Sequence, residues 1–428
     1  MKQILFWAVV ASIVLTPTAY AAVSDQDFAE LRKQLAAVSA RLDELAAENA
    51  ELRAAQNQAD ASISRVETTI SEIPVSSESW TERISLGGDF RYRYSRIDLE
   101  GSGARKRFRI RARTNIKAQV SDNIEIGFGL ATGGDDPVST NQDLGGGGST
   151  KDAKLNLAYA DWEAADGLHL FGGKFKNPLT RVGGQPLTWD ADWTPEGLAL
   201  TYQRDWFFAN ALGTYLESDS KKSNDNFSWG GQVGVSVNVG DAKLTGGIGY
   251  YIIPTKGGTT NFGDPSDPED FFGNTAIEAG GAACGTTVDT ECVYLYDYKL
   301  TQAFAEASFN IGGWPALVFF DYINNSDPTE NNTGWTLGTK IGQTKDRGQM
   351  QFTYYYASKE ADSMLGLVTD SDFGGGGSDS KGHWLQFNYG VQESWTIGAQ
   401  YFINEVDLAS GNKSDFNRLM IDLQWKWK

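Results

Sequence analysis

Arg105-Lys106-Arg107-Phe108-Arg109-Ile110-Arg111-Ala112-Arg113-Thr114-Asn115-Ile116-Lys117-Ala118-Gln119-Val120 alternates without a break. Phe108, Ile110, Ala112, Thr114, Ile116, Ala118 and Val120 make one face, and Arg107, Arg109, Arg111, Arg113, Asn115, Lys117 and Gln119 make the other. A period of two belongs to an extended strand, whose successive side chains point to opposite sides. One side of this strand suits hydrocarbon and the other suits water. Four arginines on the lipid side would each cost roughly 2 to 4 kcal/mol near a bilayer midplane, so the guanidinium face has to be the wet one.

The same alternation recurs on both sides of this stretch. Ile84, Leu86, Phe90, Tyr92 and Tyr94 oppose Ser85, Asp89, Arg91 and Arg93, and later come Val233, Val235, Val237 and Val239, then Leu244, Ile248, Tyr250 and Ile252, then Met350, Phe352, Tyr354 and Tyr356. Breaks between the runs predict strands at 83–97, 105–120, 123–132, 152–163, 167–176, 197–204, 206–217, 226–239, 242–253, 293–310, 314–323, 334–342, 348–359, 382–392, 395–405 and 415–427. Short turns such as Ser121-Asp122, Gly240-Asp241 and Gly312-Gly313 interleave with long segments at 133–151, 177–196, 254–292 and 360–381. About sixteen antiparallel strands with short turns at one end and long loops at the other is the pattern of an all-β transmembrane barrel, the short turns being periplasmic. Trp162, Trp206, Trp314, Trp395, Trp425 and Trp427 fall at the short-turn end, where an aromatic girdle meets lipid headgroups. A soluble β-sandwich alternates too, but a ring of about sixteen strands is too wide for side chains to fill and leaves a watery interior.

Before the barrel, Phe28, Leu35, Leu42, Asn49, Gln56, Ile63 and Ile70 occupy a positions and Leu31, Val38, Leu45, Leu52, Ala59, Val66 and Ile73 occupy d positions of an unbroken heptad. An α-helical coiled coil is predicted, and its apolar seam demands a partner helix. Lys2, the apolar run Ile4 to Leu15 and Ala19-Tyr20-Ala21 read as a cleaved export signal. The expected organisation is therefore a signal peptide at 1–21, a periplasmic coiled coil with its linker at 24–75, and an outer-membrane barrel at 81–428. A formal net charge of −18 speaks against a nucleic-acid partner. Cys284 and Cys292, in a glycine- and aspartate-rich stretch of an exported chain, predict a loop-stapling disulfide. No metal site and no cofactor are expected. His169 and His383 are the only histidines, which leaves little for catalysis, so no enzyme is expected.

Gly88-Asp89-Phe90-Arg91-Tyr92-Arg93-Tyr94, the arginine-rich strand, Ala131 to Gln142, Gly172 to Pro178, Trp189-Asp190 and Pro195 to Leu200 resemble the "putative porin" family of Gram-negative bacteria. The coil ahead of the barrel resembles the phosphate-selective porins more distantly. The resemblance implies a passive pore in the outer membrane, usually trimeric, without a cofactor. Such barrels commonly end on an aromatic residue, whereas this chain ends Trp425-Lys426-Trp427-Lys428.

Arg91, Arg93, Arg107, Arg109, Arg111, Arg113 and Lys117 are the expected pore-lining wall. The segment around Arg181, Trp189, Asp190, Asp192, Trp193 and Glu196 is the expected constriction loop, whose acidic groups would face that wall and set a field across the pore. Three readings follow. One is a diffusion channel for small hydrophilic solutes or ions, surrounded by outer-membrane lipid and assembled as a homo-oligomer, with a trimer favoured. Another is selective passage of phosphate-like anions along the arginines. The third belongs to a different class: a structural tether in which the coil reaches peptidoglycan.

Overall fold

Strand pairing follows the alternation. The computed structural model describes residues 25–72, 80–218, 226–260, 262–278 and 280–428, so the expected signal peptide and the linker at 74–78 lie outside the described residues. The chain divides into two units, Met1–Ser79 and Trp80–Lys428. The described part of the first is one helix, α1 (Asp25–Glu72).

The described residues of the second unit open with a 3-10 turn, Trp80–Arg83, and run through nineteen strands. They are β1 (Ile84–Leu99), β2 (Arg105–Ser121), β3 (Ile124–Thr132), β4 (Gln142–Asp143), β5 (Ala153–Ala165), β6 (Leu168–Lys174), β7 (Glu196–Arg204), β8 (Phe207–Glu217), β9 (Asn226–Val239) and β10 (Ala242–Ile253). There follow β11 (Ala276–Glu278), β12 (Cys292–Tyr294), β13 (Tyr298–Ile311), β14 (Trp314–Asn325), β15 (Thr333–Gly342), β16 (Met350–Lys359), β17 (Ser380–Gln392), β18 (Trp395–Val406) and β19 (Ser414–Trp427). With β4, β11 and β12 set aside, each strand pairs antiparallel with the next along the chain, and β1 pairs with β19 from Gly88↔Trp427 to Leu99↔Phe416. The wall is thus a closed ring of sixteen strands with no free edge, the condition for burying backbone polar groups in hydrocarbon. At the seam the approach is close: a Cβ on Gly88 would stand 2.1 Å from the Arg113 carbonyl oxygen and 2.5 Å from the Trp427 ring.

One predicted strand is corrected. The run at 293–310 breaks into β12 and β13. The Thr255 and Lys256 amides donate to the Asp297 carboxylate and the Cys292 amide donates to the Pro265 carbonyl, which turns the chain away from the wall. β12 instead forms a two-stranded ribbon with β11 inside the long segment between β10 and β13.

Burial fixes the phase of the wall. Leu86 and Phe108 are 53% and 49% exposed, while Asp89 and Arg111 on the same two strands are 7% and 6% exposed. Exposed apolar side chains circle the barrel, among them Phe128, Trp229, Val233, Ile248, Phe320, Leu337, Phe352, Tyr401 and Ile421. Trp162, Trp206, Trp314 and Trp427 are exposed at the short-turn rim, and Trp395 stacks on Trp425 there. Among the described residues no helix is long and apolar enough to cross a membrane. A guanidinium moved to the outer face tests the phase. Ala112→Arg is expected to cost about 2–4 kcal/mol of folding free energy in phospholipid vesicles, read by urea titration, and an unchanged midpoint would place Ala112 away from lipid.

Candidate functional site

The arginines of β1 and β2 lie directly across from one another: Arg91↔Arg111, Arg93↔Arg109 and Asp89↔Arg113 are cross-strand partners. Seven cationic groups this close would repel strongly in a low-dielectric wall, so counter-charges are built in among them. Arg111 Nε donates to Asp89 Oδ1 at 3.0 Å, and Arg113 Nε to Asp89 Oδ2 at 2.7 Å. Arg93 forks onto Asp422 of β19 at 2.7 and 2.8 Å and reaches Asp372 at 3.1 Å. Arg418 of β19 lies 2.9 Å from the other oxygen of Asp372. Arg107 and Arg109 share Asp143 of β4, and Lys117 donates to Glu125 at 2.8 Å. Arg91 stands apart. It donates to the Asn141 amide oxygen at 2.6 Å and has no carboxylate within ion-pair distance among the described residues.

Two loops fold inward against this wall. The segment 175–195 leaves β6 and crosses the ring before returning to β7. The Thr180 amide donates to Gln232 on β9 at 2.7 Å, the Gly183 amide to Glu306 on β13 at 2.8 Å, and Gln185 Nε2 to Asp321 on β14 at 2.8 Å. Lys340 on β15 donates to the Gly183 carbonyl at 3.2 Å. Gly183 has φ +64°, and a Cβ there would meet the Phe319 ring at 2.3 Å, so only glycine fits this close approach. On its way back the loop places Asp192 on Arg113 at 2.8 Å and on Arg111 at 3.4 Å. β2 and β13 are second and tenth in the ring of sixteen, half a turn apart, so this loop touches opposite walls.

The segment 360–379, between β16 and β17, packs on the first loop. The Asp190 amide donates to the Val368 carbonyl at 2.8 Å, and Thr369 Oγ1 to the Leu187 carbonyl at 2.7 Å. Met364, Leu365, Leu367 and Val368 join Trp189, Trp193 and Tyr251 in one buried apolar cluster, which Phe271 and Tyr294 from the 254–297 segment extend. Asn274 donates to the Ala361 and Met364 carbonyls at 2.7 and 2.9 Å and ties that third segment in. Within it, Cys284 and Cys292 form a disulfide.

Several expected site residues stand elsewhere than a basic wall facing an acidic loop would have them. Asp192 sits on the wall itself. Trp189 and Trp193 stack at 4.9 Å and are buried, so they anchor the loop and do not line an opening, because their apolar area is worth more out of water. Arg181 donates to the Trp189 carbonyl at 3.4 Å. Glu196 is the first residue of β7, opposite Lys174 of β6, which donates to it at 2.7 Å. Asp143, Asp372, Arg418 and Asp422 escaped the sequence reading, as did the pairing role of Asp89, which it had placed on the wet face, and the inward course of 360–379. Two signals were present in the chain: the apolar run Met364-Leu365-Gly366-Leu367-Val368 inside a supposed surface loop, and Arg418 and Asp422 in the alternation of the last strand.

Between the wall and the two loops lies a cavity of about 290 Å³. Arg91, Arg93, Arg111 and Lys340 line it together with Asp190, Asp192, Asp370 and Asp372, and Phe319, Tyr355, Trp384 and Phe402 complete the lining. The loop carboxylates divide electrostatically. Burial pushes Asp372 up, but Arg418 and Arg93 outweigh it and hold the group well below the ordinary carboxylate range. Asp192 is likewise held low by Arg111 and Arg113 against its burial. Asp190 goes the other way, raised well above the ordinary value by burial and by neighbouring Asp370, and Asp370 is raised by burial as well.

The model of the family described as "Putative porin" matches residues 98–261 and 286–427. Comparison with curated proteins gives no match. Among solved structures, OprB of Pseudomonas putida is similar at 11% identity over 81% of this chain and 95% of its own, with a TM-score of 0.53. OmpF of Salmonella typhi is similar at 11% identity over 80% of this chain and 97% of its own, with a TM-score of 0.46. The match over both halves of the barrel, together with a closed sixteen-stranded ring whose outer face is apolar, makes this chain a member of the putative porin family, a porin barrel of the bacterial outer membrane.

Proposed function

We propose that the protein is a passive channel for small hydrophilic solutes and ions, with weak selectivity between anions and cations. The supporting observation is the composition of the inner wall. The guanidinium groups of Arg93, Arg107, Arg109, Arg111, Arg113 and Arg418 are paired with the carboxylates of Asp89, Asp143, Asp192, Asp372 and Asp422, which leaves Arg91 as the unpaired arginine of this wall among the described residues. A ladder of free arginines would concentrate anions along its length, whereas paired ones present local dipoles and little net charge. The phosphate-like reading is therefore the less favoured. Planar-bilayer recording in a potassium chloride gradient decides between them: a reversal potential close to zero is expected, and one near the full chloride limit would favour the anion channel.

Helix α1 adds an assembly element. Its 48 residues span about 72 Å at 1.5 Å per residue, and two of its d-position leucines, Leu45 and Leu52, are exposed on the single chain. Exposed seam leucines support association with further copies, a trimer in keeping with the barrel. A reach of that length also suits a tether toward peptidoglycan. Deleting residues 24–75 separates the roles, because loss of envelope attachment with intact conductance supports the tether and unchanged attachment removes it.

A further inference from the structure

We infer that the cavity between the arginine wall and the two inward loops is a binding position for small zwitterions, solutes with one carboxylate and one ammonium group. Arg91 takes the carboxylate, and the Asp190 and Asp370 carboxylates take the ammonium. The inference rests on the channel reading above and names the solute class for which the pore has affinity.

The assignment comes from counting which charged groups around the cavity are already satisfied. Arg93 and Arg111 are each shared between two carboxylates, and Asp372 is shared between two arginines. Two lining cations have no ionic partner among the described residues: Lys340, which donates to the Gly183 carbonyl at 3.2 Å, and Arg91, whose Nε is enclosed without a hydrogen bond. Among the carboxylates, Asp190 accepts only from the Asp192 and Ser371 amides, at 2.7 and 3.3 Å. Asp370 accepts from the Asp372 amide at 2.8 Å and from the Tyr355 hydroxyl at 3.4 Å. No cation pairs with either carboxylate within 4.0 Å among the described residues. Thr353, 2% exposed and lining the same cavity, has an unpartnered Oγ1, so a buried hydroxyl also awaits a polar ligand atom.

An anion alone would lie against unpaired carboxylates, and a cation alone against an unpaired guanidinium. A solute carrying both charges satisfies both. With about 290 Å³ of room, the cavity admits a solute of amino-acid size. Phe319, Tyr355, Trp384 and Phe402 give the connecting carbons an apolar flank. Burial and their mutual repulsion raise Asp190 and Asp370 in spite of the buried Lys359 ammonium, which lies beyond ion-pair distance of both, and a bound ammonium would relieve that repulsion.

The test uses the purified full-length chain in two formats, calorimetric titration in detergent and swelling of reconstituted liposomes. The ligands are glycine, β-alanine and 4-aminobutyrate, with propionate and ethylammonium as half-ligands and glycerol as the uncharged comparator. The expected result is saturable binding and flux for at least one of the three zwitterions, tighter than for either half-ligand. Arg91→Gln and Asp190→Asn should each weaken it roughly tenfold or more, as losing a charge-assisted hydrogen bond does, while glycerol flux persists. Non-saturating zwitterion flux equal to that of glycerol, or propionate binding as tightly as the zwitterions, overturns the inference and leaves the channel standing. If no solute enters the liposomes, glycerol included, the channel reading itself fails. Should Arg91→Gln not assemble, Asp190→Asn, which keeps the side chain's size and one of its two accepted hydrogen bonds, carries the same comparison.

Discussion

Asp372→Asn is expected to destabilise the inward loop 360–379 by about 3–5 kcal/mol, the cost of breaking a buried ion pair from one side. Both partners, Arg93 and Arg418, are only 2% exposed, so neither can turn to water when the charge is removed. Asp422 still holds Arg93, but Arg418 keeps only Ser95 Oγ at 3.3 Å and the Asp372 carbonyl at 3.3 Å. Limited proteolysis should cut the 360–379 segment of the variant while the barrel remains heat-modifiable on gels, and conductance should rise as the loop leaves the lumen. A variant as resistant to proteolysis as the parent would mean that the apolar cluster alone holds the loop. The pH dependence of the parent follows from the same pair. A carboxylate held below its unfolded value of 3.8 stabilises the fold fully above that value, and the contribution is lost as pH falls through the lower folded value. The loop contact should therefore be intact at pH 5 and weaken only below about pH 4.

Trp189→Ala is expected to cost about 3–5 kcal/mol, as removal of a buried large aromatic does. Trp189 is 4% exposed, stacks on Trp193 at 4.9 Å and sets an edge against Tyr251 at 5.2 Å. Leu365 and Val368 of the second loop belong to the same cluster, so the substitution loosens both loops together. The checks are the denaturant midpoint and the single-channel conductance, which should fall and rise respectively. Trp314→Ala, at the exposed rim, should leave conductance unchanged. Equal effects from the two tryptophans would contradict an anchoring role for Trp189.

The barrel was legible because each of its strands carries its own instruction. Alternation sets which side of a strand is apolar, and that property needs only neighbours in sequence. Phe108 to Val120 on the outside, Arg107 to Gln119 on the inside and the tryptophans at the short-turn rim could all be placed from periodicity and turns. The run at 293–310 misled because Val293 and Tyr294 do alternate into β13, and the side-chain turn at Asp297 that breaks the run depends on Thr255 and Lys256, about forty residues upstream.

What happens inside the ring was not legible. The charged faces of β1 and β2 are plain in the chain, but which acid neutralises which arginine depends on closure and on loops. Asp422 reaches Arg93 because β19 pairs with β1 across 329 positions, and Asp372 and Asp192 arrive on loops that enter from elsewhere in the ring. The sequence by itself determined that the chain makes a membrane barrel, which of its faces meets lipid and that its inner wall is rich in arginine, since strand period and hydropathy are local properties. Only the tertiary structure decided that this wall, Arg91 apart, is paired and not free, because Coulomb energy depends on distances that closure and loop packing create between residues far apart in the chain.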